Sequence, residues 1–392
     1  MLDTIVLTLS KGAYMITDPD KFTPSARWAT DNVPIIGSSS FITSKQNPIK
    51  KEQLAGNYKP RLTLTQRFNN ARRYEATLKI ELSLPKLMFG NNFDELCDDD
   101  FDAVVNRLQE KLKEMGVLVF HVLLKKAPVS AIHYSKNFAL TDGSTPYSYI
   151  KFIRQANITT RLDTNQTDYR NEGHSFKLHA NSYEVSFYDK IKDLEIAKSN
   201  GAKRAIDRDN AVQLSLFDQL KKREFFEVLR MEVRLNRRQK IKPLLKQLGI
   251  ETELTFEGLF KKEYAKAVLL HYLDYVEQQR PSLLDFQPKT PKDLLAQLTI
   301  NNPTLKARKI LQLYGLKMAM DGLGMRELRQ VLGNKFTQDT WYSIVREARS
   351  VIVPKQQNPF GLLKTQIEGF VPLRLVDFEG KMINNDKGVN DL

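Results

Sequence analysis

One cysteine, Cys97, stands in 392 residues, beside only five histidines and two tryptophans. A single thiol forms neither an internal disulfide nor a thiolate zinc cluster, so a disulfide-stapled scaffold and a zinc-finger module are both excluded, and a reducing cytoplasm is the expected setting. No uninterrupted apolar stretch nears the roughly 20 residues that span a bilayer. The opening Met1-Leu2-Asp3 lacks the basic-then-apolar character of a secretory signal, and no membrane partner is expected. Internal repeats and low-complexity tracts are also missing. His121, His174, His179 and His271 have no partner at metal-ligand spacing and receive no role. What the chain does have is positive charge: 60 Lys and Arg against 46 Asp and Glu give a formal net charge of +14. That excess makes nucleic acid the leading partner class. The hydrophobic share of 41% is ordinary globular composition, and the length suits about two domains.

The hydropathy pattern predicts α+β architecture: a mostly antiparallel sheet with flanking helices over 1–255, then a mainly helical region over 256–392 for DNA or partner binding. Residues 74 to 84 alternate strictly, with Tyr74, Ala76, Leu78, Ile80, Leu82 and Leu84 on one side and Glu75, Thr77, Lys79, Glu81 and Ser83 on the other. This is a strand with one dry and one wet face. The same reading covers 129–138, 182–190 and 229–236; residues 2–9 also read as a strand, and the apolar run VLVFHVLL at 117–124 is expected to be a further strand with His121 inside it. Phe101, Val104, Leu108 and Leu112 predict a helix that Gly116 ends at a left-handed position. Thr145-Pro146 predicts a helix start. The segment 281–292, with three prolines, reads as a linker, and 325–348 reads as two helices joined by a turn, the second capped by Thr337 and bearing Trp341.

If the wet faces of these strands adjoin, Glu81, His133, Tyr188, Lys190 and Glu232 project from one surface. Carboxylates, with an imidazole, suit a hard divalent cation such as Mg²⁺ or Mn²⁺, which polarises a scissile phosphate. A tyrosine hydroxyl, with a pKa of about 10, attacks only where a cation or base makes the phenolate accessible. Lys190, placed on the same strand face as Tyr188, is the candidate for stabilising that charge.

Four segments in order along some 250 residues resemble the gene II / gene X replication-initiator family of filamentous phages and related plasmids: MLDTIVLTL, IELSLPKLMFGNNFDEL, YEVSFYDK and VLRMEVRLNRRQKIKPLLKQLG. The resemblance implies a rolling-circle initiator that nicks origin DNA, forms a phosphotyrosine and rejoins the strand, working with a host helicase and polymerase in a bacterial cytoplasm. It implies Tyr188 as nucleophile with Lys190 beside it, and Glu81 and Glu232 as Mg²⁺ or Mn²⁺ ligands. His133 stands where the family tends to have an aspartate. The strand read at 129–138 departs from the family at that point, which changes the charge of the site. The His-hydrophobe-His motif of another rolling-circle initiator class is missing, since Val122 and Leu123 follow His121. Arg230, Arg234, Arg237, Arg238 and Lys240 are expected to hold the DNA backbone. A non-catalytic origin-binding initiator or repressor is the alternative. A tyrosine recombinase is not, because no Arg-His-x-x-Arg helix precedes a C-terminal tyrosine.

Overall fold

A computed structural model describes residues 1–30, 41–48, 57–68, 74–141, 143–158, 168–170, 173–193, 227–333, 335–354 and 358–374. Its strands are β1 (Leu2–Ser10), β2 (Met15–Ile16), β3 (Phe41–Gln46), β4 (Arg61–Phe68), β5 (Tyr74–Ser83), β6 (Val117–Leu118), β7 (Val129–Ala139), β8 (Asp168–Arg170), β9 (Ser175–Ala180), β10 (Tyr183–Asp189) and β11 (Val228–Leu235). Nine of them form one sheet in the order β3-β4-β5-β1-β7-β11-β10-β9-β8, and each neighbouring pair is antiparallel. The protein is thus α+β, as its alternating segments require.

The helices are α1 (Arg27–Thr30), α2 (Leu84–Phe89), α3 (Phe101–Glu114), α4 (His121–Lys125), α5 (Pro146–Arg154), α6 (Arg238–Gln247), α7 (Phe256–Leu259), α8 (Lys262–Gln278), α9 (Pro291–Asn301), α10 (Ala307–Leu332), α11 (Gln338–Ser350) and α12 (Pro359–Gly369). The capping signals act as read: Thr145 Oγ1 accepts from Ser148 N at the start of α5, and Thr337 does the same for Thr340 at α11. Gly116 takes φ +76 after α3. The run 117–124 departs from expectation. Only Val117 and Leu118 are strand, and His121 opens α4. Phe120 and Val122 lie exposed while Val119 and Leu124 are buried, so this apolar stretch has no single dry face to lay on a sheet.

One face of the sheet is dry. Ile5, Leu7, Leu62, Leu64, Leu78, Ile80, Ile132, Tyr134, Phe187, Met231 and Val233 are all fully buried there, under α3, α5, α6, α8 and α12. The helices after residue 255 divide between two cores, so the expected boundary there is not where the packing divides. α7, α8 and α12 join the sheet. Residues 283 to 353, with Trp341, make a second core. The Pro-rich 281–292 segment belongs partly to that core, because Leu283 and Leu284 are fully buried in it. α10 breaks at Gly324, φ +75, where it passes the backbone of Arg154 and Gln155. The Arg154–Glu327 ion pair and a 3.0 Å bond from Arg280 to Gln155 fasten the cluster to the sheet body. Among the described residues, no helix is long and apolar enough to cross a membrane.

Candidate functional site

The other face of the sheet is polar, and its centre is crossed by β1, β7, β11 and β10. Opposed residues of an antiparallel pair share a face. Arg234 lies opposite both His133 and Glu184, Glu232 opposite Ser135 and Ser186, and Arg230 opposite Asn137 and Tyr188. Strand parity therefore brings Tyr188, Glu232 and His133 together, as their spacing predicts. Tyr188 Oη donates to Glu232 Oε2 at 3.5 Å, a long contact, and His133 Nδ1 lies 3.5 Å from Glu232 Oε1.

The third member of this cluster is Asp3, a second carboxylate, which the sequence reading passed over. In β1 the inward residues are Leu2, then Ile5, Leu7 and Leu9, so two polar residues in succession, Asp3 and Thr4, interrupt the alternation. The pairing with β7 shifts register between Leu2 and Thr4, and such a bulge re-aims a side chain that regular pleating would send to the other face. Asp3, His133 and Glu232 consequently offer ligand atoms that all lie within 4.8 Å of one another. The phase break at Asp3-Thr4 is the signal that identifies this residue.

Glu81 does not join that group. It shares the polar face, but lies opposite Val6 and Arg61, and it pairs with Arg61 at 3.4 Å and Lys79 at 3.3 Å. Lys190 also departs from its expected place. The strand ends at Asp189, whose carboxylate accepts from Ile191 N and Lys192 N, and Lys190 turns into helical geometry. Its ammonium is fully buried, has no hydrogen-bond partner among the described residues, and sits 5.7 Å from the Tyr188 ring centroid.

Arg230 is no surface contact. Its guanidinium, 2% exposed, donates to Asn92 O, Asn137 Oδ1, Asp3 Oδ1 and Ser135 Oγ at 2.8–3.2 Å. The cover is the turn after α2. Gly90, φ +71, ends that helix, and Asn91 Oδ1 accepts from Phe93 N and Asp94 N, folding the turn so that its carbonyls meet Arg230 and Asn137. Arg234 clamps Glu232 by two bonds and reaches Glu184 at 2.9 Å. Arg237 and Arg238 stand exposed beyond β11, and Lys240 lies over the Tyr183 ring.

Burial works to raise the Glu232 carboxyl, but Arg234 and His133 outweigh it and hold the group well below the usual carboxylate range. Burial pushes the Tyr188 phenol well above its ordinary value; Arg230 pulls it back and Glu232 adds to the rise. Burial, with Arg230 adding to it, lowers the Lys190 amine to about 8. Two carboxylates and an imidazole are a fitting donor set for a hard divalent cation. Each carboxylate already accepts from a guanidinium, and Arg234 has Glu184 as a second acceptor should Glu232 turn to a metal. The chain matches no family model, no curated protein and no solved structure.

Proposed function

We propose that the protein is a DNA nicking and joining enzyme of the gene II replication-initiator kind, cutting one strand at a rolling-circle origin through Tyr188. The observation that carries this reading is the tyrosine hydroxyl at 3.5 Å from Glu232, a carboxylate clustered with Asp3 and His133 on the polar sheet face. In the step, Tyr188 Oη bonds to the scissile phosphorus as the bond from phosphorus to the 3′ oxygen breaks. The phenol proton, which Tyr188 Oη points at Glu232 Oε2, is released to solvent. The 3′ oxygen takes up a proton and becomes the hydroxyl that a host polymerase extends while a host helicase opens the duplex. The ester energy stays in the phosphotyrosine, so the reverse reaction rejoins the strand.

In this reading the site's own charges call for a cation. A buried phenol beside an anionic carboxylate resists ionisation, and Arg230, already bonded to Asp3, offsets only part of that. Asp3, His133 and Glu232 would hold Mg²⁺ or Mn²⁺, which when bound supplies Lewis-acid polarisation of the phosphate oxygens. Lys190 is placed to receive charge that develops beside the Tyr188 ring. In this reading the setting is the cytoplasm of a bacterial host.

The test is incubation with single-stranded and supercoiled origin DNA plus Mg²⁺ or Mn²⁺, with products resolved on a denaturing gel. The wild type should yield a nick and a protein-linked 5′ end, and Tyr188→Phe should yield neither. Cleavage by Tyr188→Phe would place the nucleophile elsewhere. No cleavage by either protein on a verified origin would favour a non-catalytic origin binder.

A further inference from the structure

The polar face does not stop at the site. Beyond β1 it continues over β5, β4 and β3 with a different composition. Register puts Lys45, Thr63, Lys79 and Thr8 in one row, and Arg61, Glu81 and Val6 in the next. Lys45 and Lys79 are exposed and the threonines half-buried. Glu81 is the acid among these seven, and Arg61 and Lys79 both hold it. Hydroxyls and ammonium groups on a flat sheet are backbone-phosphate ligands, and they carry no base-edge readout.

From this we infer that the β3–β4–β5 face is a platform for single-stranded DNA, and that it carries the part of the cut strand ending in the leaving hydroxyl. The direction rests on the proposed nicking reading. Attacking and leaving oxygens lie roughly in line across a phosphoryl group. The nucleophile stands on β10 and the Asp3–His133–Glu232 cluster spans β1, β7 and β11, so a phosphate over that cluster directs its leaving oxygen toward β1 and β5. Four strand spacings of roughly 4.8 Å separate β7 from β3, about 19 Å of track and room for a few nucleotides. The platform would keep the released 3′ end within reach, which rejoining requires and a hydrolytic nuclease does not.

The first experiment uses the full chain carrying Tyr188→Phe, without metal, and a fluorescent single-stranded oligothymidine of about 16 nucleotides. Adding Lys45→Glu and Lys79→Glu should weaken binding roughly tenfold or more, and should flatten the slope of log affinity against log salt by about 1.4, or 0.7 per lost phosphate contact. Lysine acetylation read by mass spectrometry checks the same face without substitution: the oligonucleotide should protect Lys45 and Lys79 but leave exposed Lys113 and Lys292 reactive. Unchanged affinity and slope, or no protection, would overturn the platform. Neither measurement needs cleavage, so failure of the platform and failure of the nicking reading are distinguishable. Direction follows from nicking by the Tyr188-containing protein. The double charge reversal should raise the DNA concentration for half-maximal nicking when about eight nucleotides lie 5′ to the cut, and lose that effect when about two remain. An effect that follows the 3′ side instead would reverse the assignment.

Discussion

Replacing Arg230 with Met should cost more than any surface arginine can. The guanidinium is 2% exposed and makes four hydrogen bonds. A thioether of similar length fills much of the volume but returns none of them. Asp3, with its carboxylate 14% exposed, would lose its cation, and Asn137 and Ser135 would lose their donor. Breaking a buried pair by removing one partner costs about 3–5 kcal/mol, against a total stability of about 5–15 kcal/mol for a domain. An exposed arginine that only touched phosphate would cost about 0.5 kcal/mol or less. The assay is denaturant unfolding followed by fluorescence. Trp28 packs against the sheet core and Trp341 lies in the second core, so a Trp341→Phe background reports the sheet alone. Asp3→Asn combined with Arg230→Met should recover at least about 1 kcal/mol relative to the sum of the single changes, because the two groups are coupled. A loss below about 1 kcal/mol, or strict additivity, would refute the buried-anchor reasoning and return Arg230 to the surface.

Lys190→Met should do the opposite to stability, raising it by about 1–3 kcal/mol at pH 7 by removing a buried ammonium that has no acceptor among the described residues, while nicking falls at least tenfold. The sign with pH follows from the lowered amine. Between about 8 and the unfolded lysine value the unfolded chain binds more protons than the folded one, so wild-type stability rises with pH there; the variant should lack that rise in unfolding midpoints measured across the range. Metal affinity, followed by calorimetry or Mn²⁺ resonance, should fall tenfold or more for Asp3→Asn and stay unchanged for Glu81→Gln; the reverse order would reinstate Glu81 as a ligand.

Periodicity made the sheet legible, because a strand buried on one face must alternate. Parity alone placed Tyr188, Glu232 and His133 on one surface. What it could not reach depends on partners distant in sequence. Arg230 has the parity of a wet-face residue, yet a turn some 138 positions earlier covers it. Glu81 lies on the correct face, two strands from His133, where Arg61 and Lys79 claim it. Lys190 would have stayed on the strand face had the strand not ended one residue sooner. Asp3 needed a bulge, which shows in the sequence only as two polar residues where alternation allows one. α8 has the same periodic pattern as the helices after it, and nothing local says which core a helical stripe will join.

The chain enters and leaves the Trp341 cluster at one place. Ser282 Oγ donates to Arg349 O at 3.0 Å, and Arg349 Nη2 reaches Gln279 Oε1, after which α12 returns to pack against the sheet. The cluster is therefore an insertion whose two ends meet at one doorway in the fold, with the Arg154–Glu327 pair as a second tie to the sheet body. Such a module contributes no strand to the nine-stranded sheet, so its removal would break no strand pairing and would leave the register that positions Tyr188 intact.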